Sequence, residues 1–296
     1  ASSVFLFPDW ELLPHEHLSP DLEVTGARIQ TLDALARGEQ CIVVAPVRAI
    51  MRRTLPRSVM LAATLHVKTG DLIEFEPFLE TCASLGFERV ETVQISGQFG
   101  VRGGIIDIYP FGTTKPYRIE LFGDEVESIR LFDPYTQRST EEVAGFSMLP
   151  SREVVLSTDT GEEAALRAME AAAPLEIDCR EAVDQMQEQG YFEGAERYLS
   201  YYHPDAESIL SYFPDDAIVC ACEPGKLQEQ ANGFYKEIAE AHEAALKSGD
   251  IVPSPAESFA AFDPWSDDLQ RFRSAYLSRS AIDMSGEIDL KTVNTG

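Results

Sequence analysis

The apolar pattern changes period twice along the chain. Val4-Phe5-Leu6-Phe7 is a short apolar strand that stops at Pro8 with no helix or strand before it, so the chain reads as beginning at a cut. From Glu23 to Arg37 apolar residues recur at helical spacing and end at Gly38, and Cys41 to Val44 then reads as a buried parallel strand. Strand, helix, strand is the grammar of an α/β domain. From about Leu61 that grammar gives way. His66 to Lys68 runs into a turn at Thr69-Gly70-Asp71, and a helix from Glu76 to Leu85 stops at Gly86. A string of short strands follows: Arg89 to Val93, Phe99 to Arg102, Ile105 to Tyr109, Tyr117 to Phe122 and Val126 to Phe132. Gly97, Pro110 to Pro116, Gly123-Asp124 and Asp133-Pro134 punctuate them.

After Pro150 the helical period returns. The pattern predicts helices over Glu162 to Ala172, capped by Asp159 or Thr160, near Arg180 to Gln189, and over Ala206 to Tyr212. Ala217 to Cys222 reads as a second buried strand, leading through Pro224-Gly225 to a long helix ending near Lys247. The simplest architecture is an α/β domain in two parts, 1–60 and 151–285, whose halves close on one sheet. A β-rich domain at 61–150 interrupts it, and 286–296 reads as a linker.

Composition narrows the function classes. The 296 residues are 44% hydrophobic and 25% charged, ordinary for a globular chain, and too many for one average domain. Fifty acidic against 24 basic side chains give a formal net charge of -26. Such a field repels phosphate, and no basic cluster exceeds Met51-Arg52-Arg53, so unaided DNA binding is disfavoured and a protein partner matching a small positive island is expected. Five cysteines, several inside apolar runs, suit reduced thiols rather than a disulfide framework. The absence of any apolar run near 18 residues completes an expectation of a cytoplasmic protein.

Three stretches carry a resemblance: Phe5 to Pro14 (FLFPDWELLP), Arg102 to Pro110 (RGGIIDIYP) and Tyr117 to Asp133 (YRIELFGDEVESIRLFD). They resemble the UvrB-like N-terminal region of the bacterial transcription-repair coupling factor. UvrB carries the second and third in similar form, but the segment after its first strand extends into a long tyrosine-rich hairpin. Here Trp10 to Pro20 is short, as in the coupling factor. The resemblance is clear over Val4 to Pro150 and rests on the order of elements beyond. It implies a degenerate P-loop-type, UvrB-like α/β domain interrupted by a β-rich α+β insert domain that binds the excision-repair protein UvrA. It also implies that nucleotide hydrolysis is lost from this region, with RNA polymerase and DNA engaged by other parts of an ATP-driven translocase.

The residues agree with a non-catalytic reading without cofactors. No G-x-x-x-x-G-K-[ST] occurs; in Gly225-Lys226, Leu227 follows where Ser or Thr is needed, and the pair reads as the start of a helix. The alternative is a fragment of a UvrB-like excision nuclease subunit, nucleotide-using and damage-binding, with its phosphate loop ahead of Ala1.

On Tyr117 to Phe122, period-two alternation sets Arg118, Glu120 and Phe122 on one face and Tyr117, Ile119 and Leu121 on the other. Two readings fit. Phe122 packs under the Gly123-Asp124 turn while Arg118 pairs with Glu120 or Glu127; or Phe122 and the arginines stand on the surface as interface anchors. The resemblance points to the second and carries over Arg102, Arg118 and Phe122 as UvrA-binding residues. His15 and His17 lack a third ligand, and Cys220 and Cys222 read as buried packing, so no metal is expected. Asp107, Glu120, Asp124, Glu125 and Asp133 read as carboxylates of a solvated face, and no nucleophile with a matching base appears.

Overall fold

The structure is a computed structural model that describes residues 3–13, 16–188, 191–263, 269 and 271–278. The linker at 286–296 and His15 therefore lie outside the described residues.

The first unit is strand β1 (Ser3–Leu6), helix α1 (Leu22–Ala36) and strand β2 (Cys41–Val44), with β1 and β2 parallel in the register Val4 to Ile42 and Leu6 to Val44. The Asp21 carboxylate caps α1 by accepting from the Glu23 amide, and Gly38 ends the turn at φ +72°. Helix α1 buries Ile29, Leu32 and Leu35 against Phe7, Leu55, Met60 and Tyr212. The connecting elements are α2 (Val47–Met51), β3 (Arg53–Thr54) and α3 (Arg57–Ala62).

The β-rich part follows: β4 (Leu65–Lys68), α4 (Phe75–Ser84), β5 (Glu88–Arg89), β6 (Gln98–Arg102), β7 (Ile105–Tyr109), β8 (Tyr117–Phe122), β9 (Glu125–Phe132), β10 (Ser139–Glu142) and β11 (Gly145–Met148). Strands β5 to β10 form one sheet in chain order, antiparallel except for the β5–β6 pair, and β11 returns to pair with β4. One face of the sheet carries Phe99, Ile106, Ile108, Ile119, Val126 and Ile129 onto Leu79, Cys82 and Leu85 at α4 and Val67, Phe146 and Met148 of the β4–β11 pair. Tyr117 stacks on Phe146 with ring centroids 4.1 Å apart.

The remainder is helical at first: α5 (Thr158–Ala172), α6 (Arg180–Gln187), α7 (Leu199–Tyr202), the short strand β12 (Glu207–Ser208), strand β13 (Ile218–Cys222), α8 (Pro224–Lys247), α9 (Pro255–Ser258) and β14 (Arg273–Leu277). A capping box between Ser157 and Thr160 starts α5, with Ser157 as the N-cap two residues before Asp159.

Four expectations need correction. Residues 206–212 are not a helix: Glu207–Ser208 pair with Arg53–Thr54, and a single 3₁₀ turn follows at Ile209–Tyr212. The strand expected over Arg89 to Val93 is confined to Glu88–Arg89 beside Gln98–Phe99. Neither parallel strand is fully buried. Val4, Leu6, Ile42 and Val44 share an open face, and Ile218, Cys220 and Cys222 share another, so the two thiols are exposed rather than packed. Nor do the halves close on one larger sheet among the described residues: the two-residue β3–β12 pair is the only strand pair that joins them, and β13 pairs in parallel with β14 and not with β1 or β2. A short apolar run shows that a strand has something to bury, and cannot say whether one layer or two will cover it.

A buried charge cluster locks the strand exits together. Glu153 accepts from Trp10 Nε1 at 2.9 Å, Thr54 Oγ1 at 2.8 Å and Arg28 Nη2 at 3.0 Å, and also from Arg28 Nε. Arg28 donates its remaining Nη1 to Pro8 O at 2.7 Å and lies over the Phe7 ring at 3.9 Å. Both partners are wholly buried, so each neutralises a charge whose isolated burial would cost several kcal/mol. Replacing Glu153 by Ala leaves the Arg28 guanidinium unpaired, and urea unfolding is expected to show a loss of about 3–5 kcal/mol. The double replacement Arg28→Met with Glu153→Leu should cost less than either single change.

A second buried carboxylate, Glu196, accepts from Tyr191 Oη at 3.0 Å and has Arg152 Nη1 at 3.9 Å. Burial pushes its pKa up to about 7, with Arg152 opposing. The folded chain then holds this proton more tightly than the unfolded chain. The contribution is fully present below the ordinary carboxylate range and is lost as pH rises through about 7. Glu196→Gln should therefore gain stability relative to the unmodified chain between pH 5 and pH 8, by on the order of 2 kcal/mol in paired denaturation curves.

Candidate docking surface on the β-rich sheet

The sheet face opposite the core carries the candidate residues because strand alternation puts them there. Arg102 on β6, Asp107 on β7, and Arg118, Glu120 and Phe122 on β8 share one side, while Ile106, Ile108, Ile119 and Val126 point to the other. Cross-strand register makes Asp107 the direct neighbour of Arg118, and places Gly100, which has no side chain, on its other flank.

Asp107 is the centre of this arrangement. Arg118 donates to it from Nε at 2.7 Å and from Nη2 at 2.8 Å, a two-point fork, and Arg102 donates from Nη2 at 2.7 Å. Arg118 also donates from Nη1 to Gln137 O at 3.2 Å and lies over the Phe132 ring at 4.7 Å. The hydrogen bonds that Arg118 donates to Asp107 raise its pKa further above the ordinary value, against a smaller opposing effect of burial. Two guanidinium groups on one carboxylate leave about one surplus positive charge. The surplus is presented by Arg102, whose side chain is 51% exposed, since that of Arg118 is only 11% exposed.

Phe122 stands apart at the hairpin end, opposite Glu125 and 78% exposed, so it does not pack under the Gly123-Asp124 turn. The carboxylates expected to hold Arg118 have other partners or positions. Glu120 accepts from Ser128 Oγ at 2.8 Å and has Arg130 at 3.8 Å, while Glu127 is exposed. The structure thus brings Arg102 and Arg118 together through Asp107 and leaves Phe122 as a bare aromatic further along the same strand. Asp107 was expected on a solvated face and is buried instead. Its signal in the sequence is a lone carboxylate within the apolar run Ile105 to Tyr109, since carboxylates are seldom buried unpaired.

Several arginines elsewhere are engaged within the chain. Arg52 donates to Leu12 O at 2.8 Å and lies beside Asp9 and Trp10, and Arg197 pairs with Asp250 at 3.1 Å. His17 also reaches Asp250, at 2.9 Å. Gly225 and Lys226 lie in the first turn of α8 behind Pro224. No group of three or more His, Cys, Asp or Glu with metal-holding geometry occurs among the described residues, and none of the described helices is long and apolar enough to cross a membrane.

Comparison with known proteins matches this region and its surroundings. Residues 65–153 match the family described as the UvrB interaction domain. The chain is 32% identical over 271 residues to the transcription-repair-coupling factor of Bacillus subtilis, covering 87% of this chain and 23% of that protein. It is 27% identical to that of Haemophilus influenzae, with 82% and 21% covered, and 30% identical to that of Myxococcus xanthus, with 92% and 24% covered. The chain spans about a quarter of the length of these curated relatives. Over most of its own length the chain is thus similar to transcription-repair-coupling factors, and residues 65–153 match the UvrB interaction domain.

Proposed function

We propose that this chain is a non-catalytic docking module that recruits UvrA to stalled RNA polymerase in transcription-coupled nucleotide excision repair. The observation that carries the reading is a large aromatic side chain, Phe122, held in water on the same sheet face as a paired-arginine cluster within the region matching the UvrB interaction domain. Aromatic and arginine side chains supply most interface energy, and an exposed phenyl ring on a rigid hairpin loses little entropy when a pocket closes on it. Arg102 offers free donors to the partner, and Arg118 sets their position through Asp107.

In this reading residues 1–60 and 151–285 are the two parts of a degenerate P-loop-type scaffold that performs no hydrolysis, and 61–150 is the UvrA-binding domain. The protein works in the cytoplasm. RNA polymerase and DNA are met by other regions of a longer translocase. The alternative of a nucleotide-using UvrB-like subunit is not favoured by relatives that bear the coupling-factor name at 25–33% identity.

The test is capture of purified UvrA on the immobilised chain. Phe122→Ala and Arg102→Ala should each weaken binding by roughly 30-fold or more, about 2 kcal/mol, with thermal unfolding unchanged for Phe122→Ala and little changed for Arg102→Ala, because Arg118 still neutralises Asp107. Arg118→Glu behaves differently: it sets a carboxylate against buried Asp107, so both binding and melting temperature should fall. Wild-type affinity in a folded double variant of Phe122 and Arg102 rejects the site. Separately, calorimetry should detect no ATP binding by the chain.

A further inference from the structure

The docking hairpin has a second apolar neighbour outside the residues assigned above. The segment following β4 bonds along the part of the β9 edge that β10 does not cover: Gly70 N donates to Val126 O at 2.9 Å, Val126 N to Asp71 O at 2.9 Å, and Ile73 N to Asp124 O at 2.7 Å. The turn before it is pinned by Lys68 N donating to Asp71 Oδ2 at 2.7 Å. This stapling makes Leu72 the bridge partner of Glu125, which is itself the partner of Phe122.

Directly paired residues of antiparallel strands share a face, so Leu72, Glu125 and Phe122 form one row across three chain segments. Strands lie about 4.8 Å apart, which sets the leucine and the phenylalanine roughly 10 Å from each other with a carboxylate between them. Leu72 is 80% exposed, while its neighbour Ile73 packs on the sheet core. Solitary exposed leucines are common, but this one stands on a backbone hydrogen-bonded on both sides of it and level with a second exposed large apolar side chain. Asp124, Glu125 and Glu127 surround the pair with negative charge.

Resting on the reading of this face as the UvrA-docking surface, we propose that Leu72 is a second apolar anchor of that interface. The matching partner surface then has two apolar recesses about 10 Å apart with a cationic or hydrogen-bond-donating group between them, facing Glu125. The interface thus extends past the β8–β9 hairpin onto the edge segment, and a partner that fills only the Phe122 recess is discriminated against.

The experiment measures affinity of the unmodified chain, Leu72→Ala, Leu72→Met, Phe122→Ala and the Leu72→Ala, Phe122→Ala double variant for purified UvrA, alongside their melting curves. Leu72→Ala should weaken binding about tenfold with an unchanged melting temperature, and Leu72→Met, which restores apolar volume, should recover most of it. A Leu72→Ala variant that binds like the unmodified chain while Phe122→Ala fails overturns the assignment of Leu72 and leaves the docking face standing. Absence of UvrA binding by the unmodified chain, or Phe122→Ala binding unimpaired, overturns the docking face and the Leu72 anchor with it.

Discussion

The fold depends on one buried carboxylate having enough donors. Glu153 lies just beyond the last strand of the β-rich part and receives hydrogen bonds from three other segments: Trp10 after the first strand, Arg28 in the first helix and Thr54 in the short strand β3. An ionised carboxylate without partners at such a position would be untenable, so folding must assemble all three segments around it. The cluster gives orientation more than net stability, because the attraction between Arg28 and Glu153 mainly offsets their removal from water. Its effect is to tie the exit of the β-rich part to the strand and helix that precede it in the chain.

Asp107 repeats the same chemistry near the surface. One carboxylate, buried in the sheet, gathers two arginines that would otherwise repel each other, and the Phe132 ring supports the inner one from beneath. The result is a positive edge only one charge strong, on a molecule of net charge -26. Such an edge has little long-range steering power. Its value is short-range and geometric: fixed donors and a bare phenyl ring at set positions on a rigid sheet.

That arrangement separates outward-facing side chains from those that shape the surface. Phe122 and Arg102 reach into solvent, whereas Arg118 spends most of its donors within the chain. A substitution at Arg118 changes the sheet before it changes any encounter. The hairpin end, by contrast, carries its apolar groups on a backbone already satisfied by neighbouring strands, so their side chains are free to act outward.

Much of this was legible in the residues. Period-two alternation over Tyr117 to Phe122 assigned the two faces of β8, and the turn signals bounded Ile105 to Tyr109 and Tyr117 to Phe122 at the observed residues. The RGGIIDIYP and YRIELF stretches pointed to the UvrB-related family, and residues 65–153 match its interaction domain. The choice of Asp107 over Glu120 or Glu127 as the partner of Arg118 was not legible, because strand register is decided between strands and not along one. The exposure of Cys220 and Cys222, and the pairing of β13 with β14, were likewise settled only in three dimensions. Local sequence determines what each segment has to bury or bond, through periodicity and turn chemistry. Which segment answers that need is a long-range matter of cross-strand pairing and charge neutralisation, and only the assembled tertiary structure decided it.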